Sequence, residues 1–97
     1  MIREESDCVR VEGPMNLSTA TRLLDEGNLA IQNNKQGGRC RFDLSAVTEV
    51  DSSGLAVVFG WLRTAKSLGI PLDLQNSPQG LLSMADVYGV SDLLPVA

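Results

Sequence analysis

The sequence contains no histidine, and its aromatic residues are limited to two Phe, one Tyr and one Trp. Histidine is the side chain that most often transfers protons in catalysis near neutral pH, so its absence disfavours an enzyme. No phosphate-binding motif such as G-x-x-x-x-G-K occurs either. Glu49 and Asp51 could form a carboxylate pair, but a position beside a helix start favours solvation or capping. We therefore expect a non-enzymatic protein that needs no cofactor.

Cysteine is scarce too, with Cys8 and Cys40 alone. Each lies in a segment of alternating apolar and polar residues, where a small buried side chain fits. Nothing indicates the oxidising compartment that a disulfide requires. Two thiols without histidine cannot form an ordinary four-ligand zinc site. We expect both cysteines to be core residues and no metal to be bound.

Basic stripes and long apolar runs are also missing. The net charge of −4 comes from scattered acids, and no cluster of Lys or Arg could neutralise a phosphate backbone, so nucleic acid is not an expected partner. Residues 1–5 are too polar for a signal peptide, and the apolar stretch 54–62 is far shorter than the roughly 20 residues that span a bilayer. The expected location is the cytoplasm.

A chain of 97 residues is long enough for one hydrophobic core, so residues 1–97 are expected to form a single domain. Alternating patterns on either side of residues 5–7 predict a hairpin, and helical spacing predicts a helix over 17–32 capped by Asn16 or Ser18. A turn at 33–38 should precede a third strand that ends near Leu44.

The rest of the chain continues the same alternation of elements. A helix is predicted over 53–68, closed by Gly69, followed by a strand containing Ile70, Leu72 and Leu74. A last helix then carries Leu81, Leu82, Ala85 and Tyr88. This order predicts an α/β fold with a mixed four- to five-stranded sheet and helices packed mainly on one face.

The helix over 53–68 has two apolar sides. Leu55, Val58, Phe59, Leu62 and Ala65 fall on one side and are predicted to face the core. The other side lacks the Lys, Glu and Gln of a purely solvated helix, which predicts a partner-binding surface; it comprises Ser53, Ala56, Val57, Gly60, Trp61 and Thr64. Gly60 destabilises a helix by about 1 kcal/mol relative to Ala, a loss that is easier to explain if another backbone or side chain approaches closely. The alternative to a partner-binding surface is a chance run of small residues partly covered by the first helix.

The start of that helix carries the most informative motif. Residues 50–55 read VDSSGL and follow the predicted strand containing FDLS at 42–45. Asp51 or Ser52 can accept hydrogen bonds from the first free amides of the helix, and capping alone is the structural explanation. The functional explanation adds Asp51, Ser52, Ser53 and Gly54 to the partner-binding surface.

These two motifs resemble the central signature of STAS domains, a family that includes the anti-sigma-factor antagonists. The segments 11–14 (VEGP), 22–27 (RLLDEG) and 87–95 (VYGVSDLLP) resemble the B subunits of Mla-type phospholipid ABC transporters. That likeness implies an accessory subunit that binds and supports the transporter's ATPase subunit and so maintains outer-membrane lipid asymmetry. It implies contact with the inner membrane only through the complex.

The resemblance implies different serines in the two classes. In Mla B subunits the hydroxyl residue directly after the aspartate faces the ATPase, which corresponds to Ser52. In the antagonists the second serine is phosphorylated, which corresponds to Ser53. The sequence has both, so an anti-sigma-factor antagonist is the alternative function. Gly13-Pro14-Met15-Asn16 departs from the Gly-Glu-Ile-Asp-like segment common in antagonists and favours the transporter reading, as does the ending at 87–95.

Overall fold

A computed structural model describes residues 1–34 and 38–96. Four strands and three α-helices alternate along the chain. They are β1 (Ile2–Glu4), β2 (Val9–Met15), α1 (Ala20–Asn33), β3 (Cys40–Val50), α2 (Ser52–Ser67), β4 (Leu72–Gln75) and α3 (Gln79–Val87), followed by a short 3-10 helix at Ser91–Leu93.

The four strands form one sheet in the order β1-β2-β3-β4. β1 runs antiparallel to β2, whereas the β2–β3 and β3–β4 pairs are parallel. Parallel neighbours require crossover connections, which α1 and α2 supply. A single parallel bridge from Leu74 to Val96 extends the β4 edge. The predicted mixed α/β sheet is confirmed.

The sheet has one apolar and one polar face, because alternate residues of a strand point to opposite sides. Val11, Phe42 and Leu74 are buried, whereas their neighbours Arg10 and Asp43 are only partly buried. Arg10 and Asp43 form an ion pair across β2 and β3 at 3.7 Å on the polar face. The helices therefore cover one face. Cys8 and Cys40 are buried core residues, as predicted.

The two long helices approach each other closely around Trp61 of α2. The Trp61 Nε1–H donates to the Leu23 carbonyl of α1 at 3.0 Å, and its ring lies 4.7 Å from that of Phe42, centroid to centroid. A Cβ at Gly27 would overlap the Trp61 ring, and a Cβ at Gly60 would lie 2.5 Å from Leu24 Cδ1. Glycine at both positions therefore lets the helices pack at this distance.

This packing corrects the predicted outer face of α2. Trp61 is 0% exposed and Val57 is 4% exposed, and Gly60 is buried as well. Phe59 and Leu62, predicted to be core residues, are only half-buried. The physical reason is that α2 packs against the sheet on one side and against α1 on another, and so has two buried sides. Helical spacing identifies an apolar side but not the element that covers it.

Several boundaries also differ from the sequence prediction. β3 continues to Val50, so Glu49 lies in a strand and not in a connection. α1 begins at Ala20, and its N-cap residue is Thr19, not Asn16 or Ser18. The strand after α2 begins at Leu72 and omits Ile70, and Tyr88 is exposed beyond the end of α3. The turn predicted at 33–38 lies mostly outside the described residues. No helix in 1–34 or 38–96 is long and apolar enough to cross a bilayer.

Candidate protein-interaction site

Asp51 fixes the start of α2. Its Oδ1 accepts hydrogen bonds from the backbone N–H of Ser53 at 2.8 Å and of Gly54 at 3.2 Å. Its Oδ2 accepts from the backbone N–H of Leu17 at 3.3 Å, which ties the β2–α1 connection to the same carboxylate. The predicted capping role of Asp51 is therefore present, and it satisfies amides that have no partner within the helix.

Gly54 brings the first turn of α2 against the ends of β2 and β3. A Cβ at this position would lie 2.5 Å from the Met15 carbonyl oxygen and 2.9 Å from Val50 Cγ1. Gly54 is itself buried. Any side chain there would push the helix off the sheet, so Gly54 supports the site from beneath and does not offer a contact surface.

Ser52 and Ser53, which lie between Asp51 and Gly54, have no such structural role. Ser52 is exposed and Ser53 is half-buried. Neither hydroxyl forms a hydrogen bond within residues 1–34 and 38–96, although the Ser53 backbone N–H is bound to Asp51. Both hydroxyls thus remain available to a partner or to covalent modification.

A shallow groove of about 310 Å³ begins beside Ser53 and runs between α1 and α2. The α2 side is formed by Ser53, Ala56, Val57 and Arg63, and the α1 side by Ala20, Thr21 and Leu24. Ala56 is exposed on its rim, whereas Thr64, the last of the predicted residues, is half-buried farther along the helix. The sequence prediction named no α1 residue of this groove, although its alternative, a run of small residues partly covered by the first helix, anticipated the contact between α1 and α2.

Leu17 is a further residue that the prediction missed. It was predicted to be the first residue of the helix over 17–32, yet it precedes α1 and is 79% exposed. The signal that could have located it is the pair Asn16 and Thr19. Thr19 Oγ1 accepts from the Asn16 backbone N–H at 3.0 Å, while Asn16 Oδ1 accepts from that of Thr19 at 3.2 Å. Such reciprocal bonding marks a turn before a helix.

The first half of the signature, at residues 42–45, has a different role. Asp43 accepts hydrogen bonds from the Ser45 backbone N–H at 2.9 Å and from Asn76 Nδ2 at 3.0 Å. Partial burial alone would raise the pKa of Asp43, but the bonds from Asn76 and Ser45 and the charge of Arg10 hold it below its ordinary value. Asp43 therefore stays ionised and connects β3 to the residue that follows the end of β4.

Glu5, Asp7 and Cys8 form another group of polar side chains, with possible ligand atoms within 4.8 Å of one another. Burial and the hydrogen bond to Glu5 raise the pKa of the Cys8 thiol, and the charge of Asp7 acts in the same direction. The thiolate is the form that binds metals. The Cys8 thiol is therefore harder to ionise than an ordinary cysteine.

The sequence and the fold of this chain are similar to those of known proteins. The family model described as "Mlab, STAS domain" matches residues 1–95. The anti-sigma-B factor antagonist of Bacillus subtilis is 32% identical over 63 residues, which are 65% of this chain and 58% of that protein. The intermembrane phospholipid transport system binding protein MlaB of Haemophilus influenzae is 35% identical over 51 residues, 53% of this chain and 49% of the relative. The alignments thus span only about half the length of each relative.

Two solved structures have the same fold. The unphosphorylated anti-sigma factor antagonist SpoIIAA aligns with a TM-score of 0.71 and 16% identity, covering 100% of this chain and 86% of its own. A putative anti-sigma factor antagonist from Thermotoga maritima aligns with a TM-score of 0.76 and 15% identity, covering 99% and 83%. Since the family model spans almost the whole chain and the fold agrees with it, the protein belongs to the MlaB-type family of STAS domains.

Proposed function

We propose that this protein is a non-catalytic accessory subunit that binds and supports the ATPase of an Mla-type phospholipid ABC transporter. It would lie at the cytoplasmic face of the inner membrane when in the complex. The observation that carries the proposal is the start of α2, where Ser52 and Ser53 present free hydroxyls beside the exposed Leu17. The relative named intermembrane phospholipid transport system binding protein MlaB supports the transporter assignment.

The composition of this surface suits a protein contact. A large exposed apolar side chain next to small residues can enter a partner's pocket, and such buried anchors contribute most of the affinity of an interface. Leu17 is the anchor of this kind. Its backbone N–H binds Asp51, the residue before Ser52, and Ala56 is exposed one turn farther along α2. The hydroxyls can form hydrogen bonds to the ATPase without an unpaired charge being buried.

Some residues that were predicted to contact the partner are buried, and they can affect binding only indirectly. Trp61 and Gly60 pack α1 against α2, and this packing fixes the relative position of Leu17 and Ser52. We therefore assign Val57, Gly60 and Trp61 as positioning residues. A substitution there should reduce binding only to the extent that it also loosens the fold.

An anti-sigma-factor antagonist is the second candidate, favoured by one specific observation. SpoIIAA in its phosphorylated form has the same fold, with a TM-score of 0.67. A phosphate on Ser53 would meet the positive end of the α2 dipole, which is favourable. It would also lie next to the Asp51 carboxylate, which already accepts from the Ser53 and Gly54 amides. That like-charge contact opposes stable phosphorylation.

Co-purification from cells tests the proposal. The parent chain should capture an ABC transporter ATPase, and Leu17→Asp and Ser52→Arg should each weaken capture by at least about tenfold, the effect of losing one interface anchor. Leu29→Asp is the matched control, because Leu29 is another exposed leucine, 55% exposed, and lies within α1 away from the start of α2. It should bind like the parent.

The same preparations separate the two candidate functions. Intact mass measurements should find no phosphate on the native protein. Capture of an anti-sigma factor kinase together with phosphorylated Ser53 would replace the transporter proposal with the antagonist one.

A further inference from the structure

A second and larger groove lies away from the serines. It is formed by the C-terminal half of α2, the connection at 69–71, Leu72 and Leu93, and it encloses about 680 Å³. The buried Ala65 and Leu72 form its floor, the half-buried Leu62 and Ile70 its sides, and Leu93, 63% exposed, its outer edge. Its volume is within the range of roughly 300–1,000 Å³ typical of small-molecule sites.

Two cations border this apolar groove: Lys66, and Arg63, which also lines the smaller groove and whose Nη2 lies 3.7 Å from the position of a Cβ at Gly60. Arg63 and Lys66 are three residues apart on α2, so their side chains lie on neighbouring parts of the helix surface. Both are exposed, and within residues 1–34 and 38–96 neither forms a salt bridge. The whole chain carries a net charge of −4, so Arg63 and Lys66 form a local positive patch on a protein that is negatively charged as a whole.

The main chain around the groove offers few hydrogen-bond donors. The backbone N–H groups of Gly69 and Ile70 donate to the Lys66 and Ala65 carbonyls at the end of α2, at 3.1 and 2.9 Å. Pro71 has no N–H. An extended peptide, which needs main-chain partners, is therefore a poor fit. An unbranched alkyl chain needs no hydrogen-bond partner.

We propose that this groove binds a single-chain anionic amphiphile, a long-chain fatty carboxylate, with its alkyl chain against Leu62, Ile70 and Leu93 and its carboxylate at Lys66 and Arg63. Apolar contact provides the affinity, and the cations select the head group, since charge-assisted bonds to a carboxylate are the stronger kind. The proposal does not rest on the assignment to an ATPase partner.

Titration of the isotope-labelled full-length chain by NMR tests it, with dodecanoate below its micelle concentration as the probe. Backbone shifts should centre on Leu62, Ile70 and Leu93. Tetradecanoate should bind about tenfold tighter, as expected from two further buried methylene groups. Dodecyltrimethylammonium, with the same chain and a cationic head, should bind at least about tenfold more weakly.

Variants localise the site. Leu93→Asp and Lys66→Glu should each weaken dodecanoate binding by about tenfold or more. Leu29→Asp and Arg22→Glu, the matched controls on α1, should leave it unchanged, and thermal unfolding verifies that all four are folded. Equal affinity for the cationic amphiphile, shifts centred elsewhere, or parent-like binding by Leu93→Asp would each overturn the proposal. Because no partner protein is present, failure here leaves the co-purification result unaffected.

Discussion

The start and the middle of α2 are both rich in small residues. In the middle these residues serve close packing, whereas at the start some of them also stay accessible. In the middle, Gly27 of α1 leaves room for the buried Trp61 ring, and Gly60 leaves room for Leu24 of α1. At the start, Gly54 does the same against β2, but Ser52 and Ser53 stay accessible. A small residue therefore indicates close packing or an open contact surface according to what lies opposite, which the helix itself does not reveal.

The largest expected effect on the free energy of unfolding is that of Trp61→Ala. It removes a fully buried indole together with its hydrogen bond to the Leu23 carbonyl, so we expect a loss of about 3–5 kcal/mol in the free energy of unfolding. Urea denaturation followed by circular dichroism measures it. Leu17→Asp, at the exposed end, should stay within about 0.5 kcal/mol of the parent. Similar losses in the two variants would mean that the buried and open regions are not distinct.

Adding one methyl group at Gly27 should have the next largest effect. The new Cβ would overlap the Trp61 ring, and overpacking of this kind costs about 1–3 kcal/mol. Gly80→Ala in α3 is the matched control, since nothing lies within 4 Å of a Cβ there. It should be neutral or stabilising by up to about 1 kcal/mol. A shift of the thermal midpoint in the same direction for both variants would contradict the close helix contact.

A smaller loss is expected at the start of α2 from Asp51→Ala. The change leaves the Ser53, Gly54 and Leu17 amides without their acceptor, and loss of an N-cap costs about 0.5–2 kcal/mol. Asp51→Asn retains an acceptor and should recover most of the stability. Chemical denaturation of the three proteins gives the comparison, and an alanine variant as stable as the parent would show that this carboxylate is dispensable.

The smallest expected effect concerns Asp43 and depends on pH. Its pKa lies below the ordinary value of 3.8, so the ionised carboxylate stabilises the folded state above about pH 4 and this contribution disappears as the pH falls further. Asp43→Asn should therefore be less stable than the parent near neutral pH, with a difference that shrinks on acidification toward about pH 3. A difference that stays constant over this range would rule out the charge of Asp43 as its source.

The sequence was sufficient where a local pattern determines the result. Alternation at Val9 and Val11 and at Phe42 and Leu44 predicted the strands. The motif at residues 50–55 predicted the family and a helix cap at Asp51 or Ser52, of which Asp51 is the cap. It failed at Trp61 and at Leu17, whose environments are set by the position of α1 relative to α2. Contacts between elements distant in the chain leave no trace in the spacing of either one.

The bridge between Leu74 and Val96 has a consequence for solubility. A sheet edge with unpaired main-chain groups invites pairing with other molecules, and proteins commonly limit this with short or covered edge strands. β1 spans only Ile2–Glu4, and β4, Leu72–Gln75, is partly covered because Leu74 donates its N–H to the Pro95 carbonyl at 2.9 Å. Both borders of the sheet are thus poor templates for strand addition, which favours a chain that resists aggregation while its helices remain open to partners.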